Sequence, residues 1–154
     1  MKIIVLLFIF YSGLCFSQKL KVYSFAEAEK AQKTHSKPLV IHIYTDWCSV
    51  CAVENFRIIK NSNLVKLLND NFYLIKFEAE KTKESILFQN KKYSFISNGS
   101  SGIHELALAF SKNETQPIYP IWIILDSENK LIHYQEGAFQ PGKMESALKF
   151  IVEK

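Results

Sequence analysis

The chain has 154 residues, 48% of them apolar and 22% charged, with a formal net charge of +4. That balance is the composition of a globular protein and excludes a disordered or fibrous one. Its small surplus of lysine and arginine is scattered, so neither a nucleic acid nor an anionic membrane surface is implied as a partner.

The first segment reads as a targeting signal. Lys2 precedes an apolar run from Ile3 to Phe10 that continues, with small interruptions, to Phe16, and Ser17 is the small residue that cleavage requires. The run is short for a membrane span. We therefore expect an exported protein, in a bacterial periplasm, with a signal peptide over residues 1–17 and a single domain over residues 18–154. Two other fates use the same residues: an uncleaved anchor, or a lipoprotein attached through Cys15. The second fits poorly because Leu14 stands where a small residue is usual.

Cleavage leaves a mature chain of about 137 residues, enough for one core, and only two cysteines, Cys48 and Cys51. A structural disulfide stabilises chiefly by closing a long loop of unfolded chain, and this loop is minimal. In an oxidising compartment such a pair points to reactivity. A metal site needs more ligands: His35, His42, His104 and His133 are isolated in sequence and no second cysteine pair exists. No metal is expected.

In chain order, Leu20 and Val22 alternate with lysines as a short strand. Ser24 with Glu27 forms a capping box that opens a helix over about residues 25–36. Pro38 introduces Leu39 to Tyr44, an apolar run suited to a strand buried on both faces. The cysteine motif, Trp47-Cys48-Ser49-Val50-Cys51, follows at once, and Ser49 to about Lys60 lacks proline and glycine and reads as a helix. Asn61 or Ser62 kinks or restarts it, with Leu64, Val65, Leu67 and Leu68 on the buried side. Phe72 to Phe77 is a second central strand. Ser101 caps a helix whose Ile103, Leu106, Ala107 and Phe110 share one face. Ile121 to Leu125 and Lys130 to Glu136 are strands joined by the turn Asp126-Ser127-Glu128-Asn129. A last helix carries Met144, Ala147, Leu148 and Ile151. The order βαβαβαββα makes an α/β fold, a mixed central sheet with helices on both faces.

On these residues the chain resembles the thioredoxin superfamily. The motif Trp47-Cys48-Ser49-Val50-Cys51 follows a buried strand, Pro120 stands just before a strand, and Gly137 precedes the final helix. Asp46-Trp47-Cys48 and Glu54 are also similar to the C-terminal periplasmic domain of bacterial membrane thiol:disulfide interchange reductases. The resemblance implies a thioredoxin fold and thiol–disulfide exchange through a redox-active Cys48–Cys51 disulfide, with no other cofactor. Cys48, at the positive end of a helix, is the expected nucleophile and Cys51 the resolving thiol. Family members leave the first cysteine exposed and cover the second.

The same resemblance assigns supporting roles. Trp47 shields the cysteine and shapes the contact surface, or else fills core. Pro120 is the family's cis-proline, and Tyr119 before it offers backbone groups to an extended substrate or simply packs its ring. His42 stands where many relatives carry a buried acid that relays protons to the second cysteine; it takes over that task or is a packed core histidine. Lys76 matches the lysine that accompanies that acid, or reaches solvent. The segment 81–116 is longer than in compact relatives, either a partner-contacting loop or a solvated excursion with one packed helix. The expected function is an exported oxidoreductase that reduces protein disulfides and is itself reduced by a membrane electron donor. The alternative is a binding or redox-sensing module of the same fold without turnover.

Overall fold

A computed structural model describes residues 18–113 and 115–153; the proposed signal segment and Cys15 lie outside them. The first helix, α1 (Phe25–Gln32), starts at the expected capping box, with the Ser24 hydroxyl accepting from the Glu27 N–H and the Glu27 carboxylate accepting from the Ser24 N–H. It ends at Gln32 rather than near residue 36. The N–H groups of Thr34 and His35 turn back to the Ala31 carbonyl, and the approach to Pro38 disfavours helical backbone.

Strand β1 (Leu39–Tyr44) follows, then α2 (Ser49–Lys60), α3 (Ser62–Asn71) and strand β2 (Tyr73–Glu78). Asn61 is the restart between the two helices: its side-chain oxygen accepts from the Leu64 N–H and caps α3. After β2 come two hairpins, β3 (Ile86–Phe88) with β4 (Lys91–Tyr93) and β5 (Phe95–Asn98) with β6 (Ser101–His104). A short helix α4 (Glu105–Ala109), strands β7 (Ile121–Leu125) and β8 (Leu131–Glu136), and helix α5 (Pro141–Val152) complete the order.

The main sheet runs β2-β1-β7-β8, with β1 and β2 parallel and the β1–β7 and β7–β8 pairs antiparallel. It is the mixed sheet anticipated. Helices α1 and α4 pack one face through Phe25, Ala28, Leu106 and Ala107. Helices α2, α3 and α5 pack the other through Ile58, Leu64, Leu68, Met144 and Leu148. Lying centrally, β1 buries both its faces, as its unbroken apolar run implies.

Two expected elements differ. The strand at Leu20 and Val22 shrinks to one bridge, Tyr23 to Ile75. The Asn69 amide accepts from the Lys21 N–H and donates to the Lys19 carbonyl, taking the backbone groups that a strand ladder would have used. The helix expected from Ser101 is instead β6 followed by the short α4, capped by the His104 imidazole, which accepts from the Leu106 N–H. Gly102 makes the hairpin possible: a Cβ there would lie 2.4 Å from the Ile96 carbonyl oxygen. Ile103, Leu106, Ala107 and Phe110 do reach one core, but from two elements.

His42 belongs to the second layer. Its ring is 2% exposed and stacks on Trp122, with centroids 4.0 Å apart and planes within 3°. Burial, and next the charge of Lys76, hold its pKa down to about 3. Between that value and the ordinary histidine pKa the unfolded chain binds the proton and the folded chain does not, so stability falls as pH drops below about 6.5. Between pH 7 and pH 5 the oxidised wild type should lose about 2 kcal/mol of unfolding free energy that a His42→Phe variant keeps. Urea unfolding at the two pH values measures the difference, and equal losses would contradict a buried neutral imidazole.

Candidate active site

Helix α2 begins at a cysteine because β1 ends at Tyr44 and the chain must turn over Thr45, Asp46 and Trp47 before it can become helical. The Cys48 N–H closes that turn on the Thr45 carbonyl at 3.1 Å. Cys48 then adopts extended backbone as the N-cap, and its sulfur accepts from the Cys51 N–H at 3.1 Å. One helical turn brings the two Cα atoms to 5.3 Å, and Cys48 and Cys51 are joined as a disulfide. Cys48 retains 6% exposure and Cys51 2%. The exposed-then-covered order therefore survives only as a small difference, since in the oxidised state both sulfurs sit under their neighbours.

Trp47 lies on the surface and does not fill the core: it is 69% exposed, and its indole N–H donates to Glu80 at 2.8 Å. Its ring meets the edge of Tyr119 with centroids 6.0 Å apart. The Tyr119–Pro120 peptide bond is cis, and the Pro120 carbonyl accepts from the Gly137 N–H. The Tyr119 hydroxyl is buried without a partner among the described residues, and burial, followed by the charges of Glu80 and Glu78, pushes its pKa up.

Beneath the disulfide is a cavity of about 280 Å³ lined by His42, Asp46, Cys48, Cys51, Asn55 and Lys76 among others. Lys76 turns inward: its ammonium donates to the Asn55 side-chain oxygen at 2.6 Å and lies over the Tyr44 ring, and burial lowers its pKa. Glu54 does not line this cavity. Its two oxygens accept from the Trp122 indole N–H at 2.8 Å and from the Phe139 N–H, and one lies 3.9 Å from His42 Nε2. Burial raises the Glu54 pKa against the pull of those two donors.

The sequence reading missed the carboxylates beside Asp46. The Asp46 side chain pairs with Lys81 at 2.6 Å, its N–H donates to Glu78, and Glu78 also accepts from the N–H groups of Glu80 and Lys81. A usable signal existed. Two adjacent apolar runs that pair in parallel end at the same sheet edge, and Tyr44 stands in register with Glu78. Among the described residues, no group of three or more His, Cys, Asp and Glu side chains is placed to hold a metal ion.

A disulfide at a helix N-terminus can be opened to a stabilised thiolate. Donors and the helix dipole favour the anion, whereas the nearby carboxylates oppose it.

Comparison with known proteins bears on the fold. No curated protein matches the sequence. Among solved structures, a thioredoxin from Thermus thermophilus superposes with a TM-score of 0.60 at 14% identity, covering 88% of each chain. The DsbH oxidoreductase gives a TM-score of 0.56 at 18% identity over 86% of each chain. A disulphide isomerase from Xylella fastidiosa Temecula1 gives 0.54 at 16% identity, covering 82% of this chain and 87% of that one. These likenesses are of fold. Joined to the Cys48–Cys51 disulfide, the fold supports thiol–disulfide oxidoreductase chemistry in general. A model of the thioredoxin-like domain matches residues 25–151, and the chain belongs to that thioredoxin-like family.

Proposed function

We propose that the protein is an exported thiol–disulfide oxidoreductase that reduces disulfides of other exported proteins. The observation that carries this reading is the Cys48–Cys51 disulfide at the start of α2, with the Cys48 sulfur accepting a helix N–H. In the reduced protein that N–H and the helix dipole stabilise a Cys48 thiolate, which attacks a sulfur of the partner disulfide. The partner's first thiolate leaves and a mixed disulfide forms. Cys51 loses its proton and attacks the Cys48 sulfur, releasing the second partner thiol and restoring the Cys48–Cys51 bond. Two electrons pass from the protein to the partner.

Trp47, Tyr119 and Pro120 form the surface over which an extended partner segment lies. The reducing direction is supported by the charges of Asp46, Glu78 and Glu80 around the turn that leads into Cys48: negative charge held on that turn disfavours the thiolate and so favours the oxidised protein, leaving the dithiol a ready donor. A membrane reductase would then supply the electrons, and residues 1–17 would direct the chain across the membrane.

Cys51→Ser should accumulate partner proteins as mixed disulfides on Cys48, whereas Cys48→Ser should capture none. The wild type should catalyse insulin reduction by dithiothreitol and both single variants should not. Non-reducing electrophoresis and insulin turbidity read the two outcomes. Capture by Cys48→Ser with none by Cys51→Ser would reverse the roles, and capture without insulin reduction in the wild type would favour a sensing module.

A further inference from the structure

Between α2 and the start of α5 lies a groove of about 230 Å³ that opens at Ser49 and Val50, the residues directly after Cys48. Val50 and Val53 form one wall, Ala138 and Pro141 the other, and Arg57 stands at the end away from the cysteines. Two contacts fix its width. Glu54 accepts from the Phe139 N–H across the floor, and past Arg57 the Asn61 amide donates to Glu145 at 3.3 Å. Single exposed valines on a helix need no explanation, but here two of them, 47% and 50% exposed, share one groove beside the reactive sulfur. Arg57 pairs with no carboxylate among the described residues, whereas Lys66, Lys81, Lys130 and Lys149 each do. Glu54 does not serve it, because its oxygens are taken by the Trp122 indole and the Phe139 N–H.

We propose that this groove is a subsite for the partner protein: it takes an aliphatic side chain near the partner's reactive cysteine, and a carboxylate further along the same extended segment meets Arg57. This rests on the exchange reading above. The volume suits one side chain, since sites for whole small molecules run to about 300 Å³ and more. Apolar walls select an aliphatic group, and burying one there removes the exposed faces of Val50 and Val53 from water. The unpaired guanidinium selects an acid, which it can hold through two parallel hydrogen bonds.

The spacing in the partner follows from the two backbones. Val53 is five and Arg57 nine residues after Cys48, which is about 7 and 13 Å at the helical rise of about 1.5 Å per residue. An extended segment laid along α2 advances about 3.3 Å per residue, so those distances fall at the second and fourth residues from its cysteine. Both places are even. In an extended chain they point the same way as the cysteine itself, so one face of the segment presents the sulfur, the aliphatic group and the acid together. The carboxylates Asp46, Glu78 and Glu80 do not line the groove, which leaves Arg57 as the charge that the segment's acid meets.

The test uses disulfide-linked dimers of an end-blocked peptide symmetric about its cysteine, Glu-Gly-Leu-Gly-Cys-Gly-Leu-Gly-Glu, so that either chain direction presents the same groups. Reduced protein is mixed with each dimer, and chromatography follows the peptide thiols. Each turnover forms the Cys48–Cys51 bond and releases two of them. At low salt the wild type should reduce this dimer at least ~3-fold faster than one with Lys in place of Glu, and at least ~3-fold faster than one with Gly in place of Leu. Arg57→Glu should reverse the charge preference, and Val53→Ser should erase the preference for Leu. Each result is a ratio of two peptides on one protein, so any change in the thiols themselves cancels. Equal rates with Glu and Lys, or with Leu and Gly, in the wild type overturn the subsite. So does a reversal as large in Lys60→Glu as in Arg57→Glu, because Lys60 does not line the groove and such a reversal reports net charge alone. A wild type that leaves 2-hydroxyethyl disulfide unreduced overturns the exchange reading itself.

Discussion

Most of the site's chemistry depends on a helix that starts at a sulfur. Because Cys48 caps α2, its sulfur receives the Cys51 N–H that an ordinary cap would give to an oxygen, and the same turn of helix brings Cys51 within bonding distance. Moving the helix start by one residue would leave the cap with Trp47 or Ser49 and take the Cys48 sulfur off the Cys51 N–H. The placement of the start is in turn a packing result. β1 is held between β2 and β7, so the end of the strand, and hence the turn over Thr45 to Trp47, cannot drift.

The buried side of α2 carries a second constraint. Glu54 reaches out of the helix to the indole of β7 and to the Phe139 N–H ahead of α5, tying three elements together at one carboxylate. Replacing it with an apolar side chain of similar size would leave two donors unsatisfied, a cost of about 1–3 kcal/mol each. The same carboxylate limits where His42 and Trp122 can sit.

What was legible in the sequence was whatever is decided locally or by sustained burial. Pro38, the six-residue apolar run and the cysteine motif located β1 and the start of α2, and Ser24 with Glu27 located α1. What was not legible depended on partners remote in the chain. The Asn69 amide displaces a strand at Lys19 to Lys21, and Gly102 permits a hairpin under the Ile96 carbonyl where spacing alone suggested a helix. The carboxylates Glu78 and Glu80 join the site only through the parallel register of β1 and β2. Trp47 and Lys76 each carried two readings that only tertiary contacts separate: the first lies outside, and the second turns inward to Asn55.

Electron flow is set by a balance between groups that favour a Cys48 thiolate and groups that oppose it. The α2 N-terminus and Lys76 stand on one side, and Asp46, Glu78 and Glu80 on the other, with Lys81 offsetting part of the acidic charge. The reduction potential of the Cys48–Cys51 couple, from equilibration with glutathione buffers at pH 7 and alkylation of the free thiols, weighs these directly. A value of about −270 mV, in the range of thioredoxin-type reductants, is expected, and one of about −120 mV, that of strong disulfide donors, would contradict a reducing role.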